Sequence, residues 1–128
     1  MGDARVSIGF KGLFIGIDRY ASPGVNWLSC AVRDAKALHA LFTTVSAATL
    51  LLDDQATVAA IGRRFDTLVA CNPDDVVVVA FSGHGTSTHE LVTHDSDARD
   101  LPNARSAWPW ARRSTKFRKD ALSQFWRY

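Results

Sequence analysis

Asp74–Gly85 reads D-D-V-V-V-V-A-F-S-G-H-G, and the fold turns on this stretch. Val76–Phe81 is an unbroken apolar run rich in β-branched residues, with acids before it and a glycine-bracketed histidine after it. A run of that kind predicts a strand covered on both faces, the sort found inside a parallel sheet. Working backwards, Asn72-Pro73 stops a helical pattern over Gln55–Ala70 that sets Val58, Ile61, Phe65 and Leu68/Val69 on one face. Thr49–Leu52, closed by Asp53-Asp54, predicts a second short strand. Ala31 to about Val45 carries Val32, Ala35, Leu38 and Leu41/Phe42 at helical spacing. Lys11–Asp18, K-G-L-F-I-G-I-D, predicts the first strand, and Ala-Ser-Pro-Gly after Tyr20 predicts a loop. The order is β-α-β-α-β, hence parallel strands joined by right-handed helical crossovers in an open α/β sheet. In such sheets chemistry gathers at the carboxyl ends of the strands. That edge comprises the Asp18–Cys30 loop, Asp53-Asp54 and Ser82–Gly85.

Composition bounds the function. With 128 residues, 47% hydrophobic and 22% charged, the chain reads as one soluble domain. Two cysteines, Cys30 and Cys71, make no disulfide framework or zinc pattern. The first ten residues are charged and no apolar run is long enough to span a bilayer, so neither a signal peptide nor a membrane segment is expected. Gly2 lacks the Ser or Thr at position 6 that myristoylation prefers. The expected setting is a reducing cytoplasm.

Ser82-Gly83-His84-Gly85 carries the chemistry. A histidine at a strand end can serve as general base or acid near neutral pH, and flanking glycines let backbone N–H groups approach a substrate closely. Alone, the string also fits a glycine-rich turn with a locally bonded histidine. Three stretches together change that reading. K-G-L-F-I-G-I-D-R-Y (Lys11–Tyr20), L-S-C-A-V-R-D-A (Leu28–Ala35) and Asp74–Gly85 resemble the caspase-like, C14-type cysteine peptidases, closest to their bacterial and metacaspase branch. The resemblance covers roughly residues 10–104. It implies a three-layer αβα caspase-like fold with a mostly parallel sheet.

It also implies a Cys–His dyad that cleaves polypeptide substrates, with His84 as the dyad histidine and the Gly85 N–H in the oxyanion hole. Asp34 stands where the family's x-V-N-D-A motif holds an acid that binds a basic side chain, although Arg33 replaces the usual Asn. Asp34 equally suits the positive end of the helix beginning at Ala31. The family's nucleophile belongs to a D-x-C motif on the next parallel strand. No cysteine follows Cys71, and nothing after Asn103 reads as that strand. The expectation is therefore a fold cut short before the nucleophile strand. Cys71 falls on the opposite edge of the sheet. Cys30 lies on the same edge as His84 and is the alternative nucleophile, with packing its plainer role.

Metal binding gains little support. His84, His89 and His94 recur every five residues, which suits neither a helix face nor a strand face, so no metal site is assigned. Calcium is implied only by family resemblance. Asp53, Asp54, Asp95 and Asp97 offer oxygens without a calcium-loop pattern, and His89–Asp95 reads as a hairpin and loop that brings Asp95 and Asp97 near the substrate rim.

Charge divides the chain. Residues 1–104 hold 8 Lys/Arg against 12 Asp/Glu, whereas residues 105–128 hold 7 Lys/Arg against Asp120 alone, with three of the four tryptophans. We therefore assign 1–104 to the caspase-like domain and 105–128 to a basic, Trp-rich tail outside the family fold and dispensable for folding. The tail suits an accidental sequence left by truncation or a reading-frame change, ahead of a solvated helix or a surface for nucleic acid or membrane, neither of which is an expected partner. With the family's next strand missing, the Val76–Phe81 edge is expected to lie open and to recruit a second copy or a strand-donating partner. The expected function is a cysteine-type endopeptidase domain, catalytically incomplete in these residues. The alternative is a non-enzymatic caspase-like module that binds or regulates.

Overall fold

The computed structural model describes residues 10–43, 46–72, 74–100, 107–113 and 122–127. Its elements are β1 (Phe10–Gly16), α1 (Ala31–Phe42), β2 (Ser46–Leu52), α2 (Val58–Val69), β3 (Val76–Ser82), the single turn α3 (Trp110–Arg113) and β4 (Leu122–Arg127). The strands form one parallel sheet in the order β2-β1-β3-β4. β1 is thus central. The crossover through α1 runs to one side of β1 and the crossover through α2 to the other. Right-handed connections running in opposite directions put their helices on opposite faces.

The pleat of β1 shows both faces at work. Phe14 points to α1, stacking on Phe42 with ring centroids 5.5 Å apart and meeting His39 edge-on at 5.9 Å. Gly16 lies on the same face, where a Cβ would fall 2.6 Å from the Ala35 Cβ and 2.7 Å from the Ala31 carbonyl oxygen. Only glycine lets α1 rest so closely on the strand. The alternate residues Leu13, Ile15 and Ile17 join Ile61, Phe65 and Leu68 of α2 in the main core. β1 and β3 read as continuous apolar runs because each is buried on two faces.

Helix boundaries follow side-chain caps. Gln55 does not begin α2 as the periodicity predicts. Asp53–Gln55 is a separate 3-10 turn, closed by Ala56 N–H to the Asp53 carbonyl at 2.9 Å. α2 begins after Thr57, whose Oγ1 accepts the Ala60 N–H at 3.1 Å. The predicted end of α1 near Val45 lies partly outside the described residues.

The larger corrections concern the carboxyl-terminal segment. The sheet continues one strand past β3, although that strand carries no cysteine and the nucleophile motif stays missing from these residues. β4 pairs in parallel along it, from Val77↔Leu122 to Ser82↔Arg127. The β3 edge expected to lie open is therefore occupied by this chain, which removes the reason for a strand-donating partner there. Leu122–Arg127 escaped notice because L-S-Q-F-W-R has no β-branched run and no alternation. What recruits it is the row of backbone donors and acceptors that β3 presents. Trp108 and Trp110, placed with the tail by charge, are buried in the core: Trp108 meets Phe65 edge-on at 4.6 Å and Trp110 meets it at 6.0 Å. No described helix is long and apolar enough to cross a membrane.

Candidate active site

The carboxyl ends of β1, β2 and β3 are tied together by side chains of the loops that leave them. Asp18, just past β1, accepts the Ala31 N–H at 2.8 Å and the Val32 N–H at 3.3 Å, and so caps α1. Asp53, just past β2, accepts the N–H groups of Asp18 at 2.9 Å and Arg19 at 3.1 Å through one oxygen. It adopts a left-handed backbone, φ 47°, a conformation that aspartate tolerates better than most residues. These links fix the two ends of the loop from Asp18 to Cys30 against the start of α1 and the end of β2.

β3 ends at Ser82-Gly83-His84-Gly85. A Cβ on Gly83 would lie 2.8 Å from the Tyr20 hydroxyl and 2.9 Å from the Phe81 ring, so only glycine lets Tyr20 approach. The Tyr20 hydroxyl accepts the His84 N–H at 2.9 Å, and the two rings lie 5.2 Å apart, tilted by 47°. The His84 Nε2 lies 2.8 Å from the Asn26 carbonyl oxygen. A carbonyl only accepts, so Nε2 carries a proton, and in the neutral imidazole the lone pair is then on Nδ1. Beyond His84 the chain forms a hairpin that starts earlier than the expected His89–Asp95: Gly85 bridges Leu91 in antiparallel fashion, and His89 takes the tight turn with φ 64°. Leu91 also pairs with Trp108, which carries the hairpin back to the core.

Two open cavities, each of about 520 Å³, flank this turn. One is lined by Ser29, Cys30, Arg33, Asp34, Ser82 and Gly83. The other takes in His84, Gly85, Asn26, Thr86 and Val92. The sequence candidates thus share one edge but divide between two cavities. Cys30 and Asp34 line the first, His84 and Gly85 the second. Asp34 also lies in the first turn of α1, so the two readings given to it are compatible in space; the capping hydrogen bonds belong to Asp18. Cys30 is an exposed free thiol, with Ser29 Oγ 3.7 Å from its sulfur. Cys71 is half-buried and packs against the core before β3 begins.

His94, Asp95, Asp97 and Asp53 have structural partners. His94 Nδ1 donates to the Arg19 carbonyl at 2.7 Å. Asp95 accepts the Val58 N–H at 3.0 Å and the Thr93 hydroxyl at 2.7 Å, which ties it to the start of α2 and not to a substrate rim. Asp97 is half-buried and hydrogen-bonded to Arg99, which holds its carboxyl down to about 2. Asp53 is committed to the β1 loop. These acids do not converge on a common point, and among the described residues no group of three or more His, Cys, Asp or Glu could hold a metal ion. The calcium implied by resemblance therefore finds no fitting donor set there.

Sequence reading missed Tyr20 and Asn26 as partners of His84. Tyr20 stands in the quoted G-I-D-R-Y stretch, but nothing there marks its hydroxyl as an acceptor; Asn26 acts through its backbone and leaves no signature. Burial raises the Tyr20 phenol from 10.0 to about 12. The folded state therefore holds this proton more tightly than the unfolded state. The stabilisation is complete below pH 10 and is lost as pH rises through 12, by at most about 3 kcal/mol. Tyrosinate absorbance is expected to show one late-titrating phenol that disappears in Tyr20→Phe. Both phenols titrating near 10 in the native protein, with none late, would contradict the burial.

The caspase domain family model matches residues 11–117, from β1 through the segment that buries Trp108 and Trp110. No curated protein matches the sequence. Parallel α/β architecture, a histidine turn at the end of β3 and a match over most of the length agree: the chain belongs to the caspase-domain peptidases of the C14 family, whose substrates are polypeptides.

Proposed function

We propose that these residues form a cysteine-endopeptidase framework of the metacaspase-like branch, in which His84 is the general base and acid. The observation that carries this reading is the 2.8 Å contact between His84 Nε2 and the Asn26 carbonyl. With Nε2–H held there, Nδ1 is the atom available to take a thiol proton. The thiolate then attacks the scissile carbonyl carbon, and the charge built on oxygen meets the Gly85 N–H, where no side chain obstructs approach. The imidazolium returns its proton to the leaving amine as the C–N bond breaks. Water, deprotonated by the same imidazole, releases the acyl group and regenerates the thiol. Asp34, in the neighbouring cavity, would receive a basic side chain, moderated by Arg33 on the same wall. The free, exposed Cys30 thiol is in keeping with a reducing cytoplasm.

Within these 128 residues the thiol itself is missing from the place the mechanism needs. β4 lies beside β3, pairs Arg127 with Ser82 and carries no cysteine. The polypeptide therefore reads as catalytically incomplete. The same fact favours the second reading, a module that binds peptide without cutting it, because both cavities exist without the nucleophile. The 128-residue polypeptide is expected to give no turnover of Arg-, Lys- or Asp-directed peptides. Turnover lost in both Cys30→Ala and His84→Ala would overturn the incompleteness and make Cys30 the nucleophile.

A further inference from the structure

His84 sits in a closed ring of contacts, and every link is fixed by a neighbour. Its N–H donates to the Tyr20 hydroxyl at 2.9 Å, and its Nε2–H donates to the Asn26 carbonyl at 2.8 Å. Asn26 is bonded to Trp27, whose indole Nε1–H donates back to the Tyr20 carbonyl at 3.1 Å. The Arg19 guanidinium lies 5.5 Å from the centre of the Trp27 ring. Trp27 is 65% exposed, so the hydrophobic effect does not explain its fixed position. An exposed indole tied by its N–H and covered by a cation holds something other than a core: it pins the backbone next to it. That backbone includes the Asn26 carbonyl.

We propose that Tyr20 and Trp27 are positioning residues for His84, closing a ring that keeps its imidazole in the Nε2–H form. The reasoning is geometric. A histidine tautomer is set by the hydrogen bond that one nitrogen makes. Asn26 supplies that bond only if its peptide stays turned toward the imidazole. The Trp27 indole is the side chain that anchors this peptide to Tyr20, and Tyr20 in turn holds the His84 backbone. Gly83 belongs to the same device, since a Cβ there would displace the Tyr20 hydroxyl. The inference deepens the reading of His84 as an oriented base and rests on it.

The test is nitrogen-15 NMR of the histidine-labelled 128-residue polypeptide, which reports the tautomer directly and needs no turnover. In the unaltered protein His84 is expected in the Nε2–H form. Trp27→Phe keeps an exposed ring but removes the indole donor. It is expected to lower the Nε2–H to Nδ1–H ratio by about fivefold, the factor that one neutral hydrogen bond carries, with the melting temperature nearly unchanged. Tyr20→Phe is expected to lower the same ratio and to speed exchange of the His84 amide. A ratio unchanged in both variants would overturn the ring while leaving His84 as a base. An Nδ1–H form in the unaltered protein would instead overturn the Asn26 contact, and with it both readings.

Discussion

Trp108→Ala is expected to destabilise the domain by ~3–5 kcal/mol, the range for emptying a buried aromatic site. Trp108 is 2% exposed, packs edge-on against Phe65 and lies 6.2 Å from Trp110, so truncation leaves a cavity that α2 cannot readily close over. Its backbone also exchanges two hydrogen bonds of 2.8 Å with Leu91, which fastens the hairpin following His84. Loss of the indole thus reaches the candidate site through the hairpin as well as the core. Phe65→Ala is expected to cost a similar amount, and the double variant less than the sum, because the two share one cavity. Domains of this size carry only ~5–15 kcal/mol of stability. Removing residues 105–128, which deletes both tryptophans and β4, is therefore expected to abolish cooperative folding. Urea denaturation checks this, and a deletion that unfolds with the native midpoint would return the segment to a dispensable tail.

The same segment marks the limit of what the sequence disclosed. β1, β3 and both long helices were legible because burial on two faces leaves unbroken apolar runs, and burial on one leaves helical periodicity. β4 was not, because its place depends on an edge formed by residues some forty positions earlier. Charge misled at residue 105: Arg and Lys accumulate beyond it, yet Trp108 and Trp110 are core residues. Counting charge measures the surface of a segment and says nothing about where its indoles go. Arg113 reconciles the two, since its guanidinium pairs with Asp66 of α2 at 2.7 Å while the neighbouring tryptophans enter the core.

For the candidate site, His84 stands out in the sequence because glycines bracket it after a strand, and Cys30 and Asp34 because they fall at the start of a helix on the same edge. Their partners do not. The Asn26 carbonyl is 58 residues away in sequence and has no side-chain signature. Asp95 was misplaced for a related reason. An acid near a predicted loop resembles a ligand until the uncapped N–H of Val58 is found beside it.

The central claim is that His84 is a base awaiting a thiol at the end of β4, and introducing one tests it most directly. Arg127 pairs with Ser82, two residues before His84, and successive strand positions face opposite sides. Trp126→Cys and Arg127→Cys, each with Cys30 and Cys71 replaced by serine, therefore put a thiol at each of two successive positions at the end of β4. Pairing with an imidazole lowers a thiol from about 8.5 toward 7 or below, which raises the reactive fraction at neutral pH roughly tenfold or more. Alkylation by iodoacetamide at neutral pH is the measurement. The predicted result is that one of the two cysteines reacts about tenfold faster than Cys30 of the unaltered protein and loses that advantage when His84→Ala is added. Two cysteines whose rates are indifferent to His84→Ala would contradict the account.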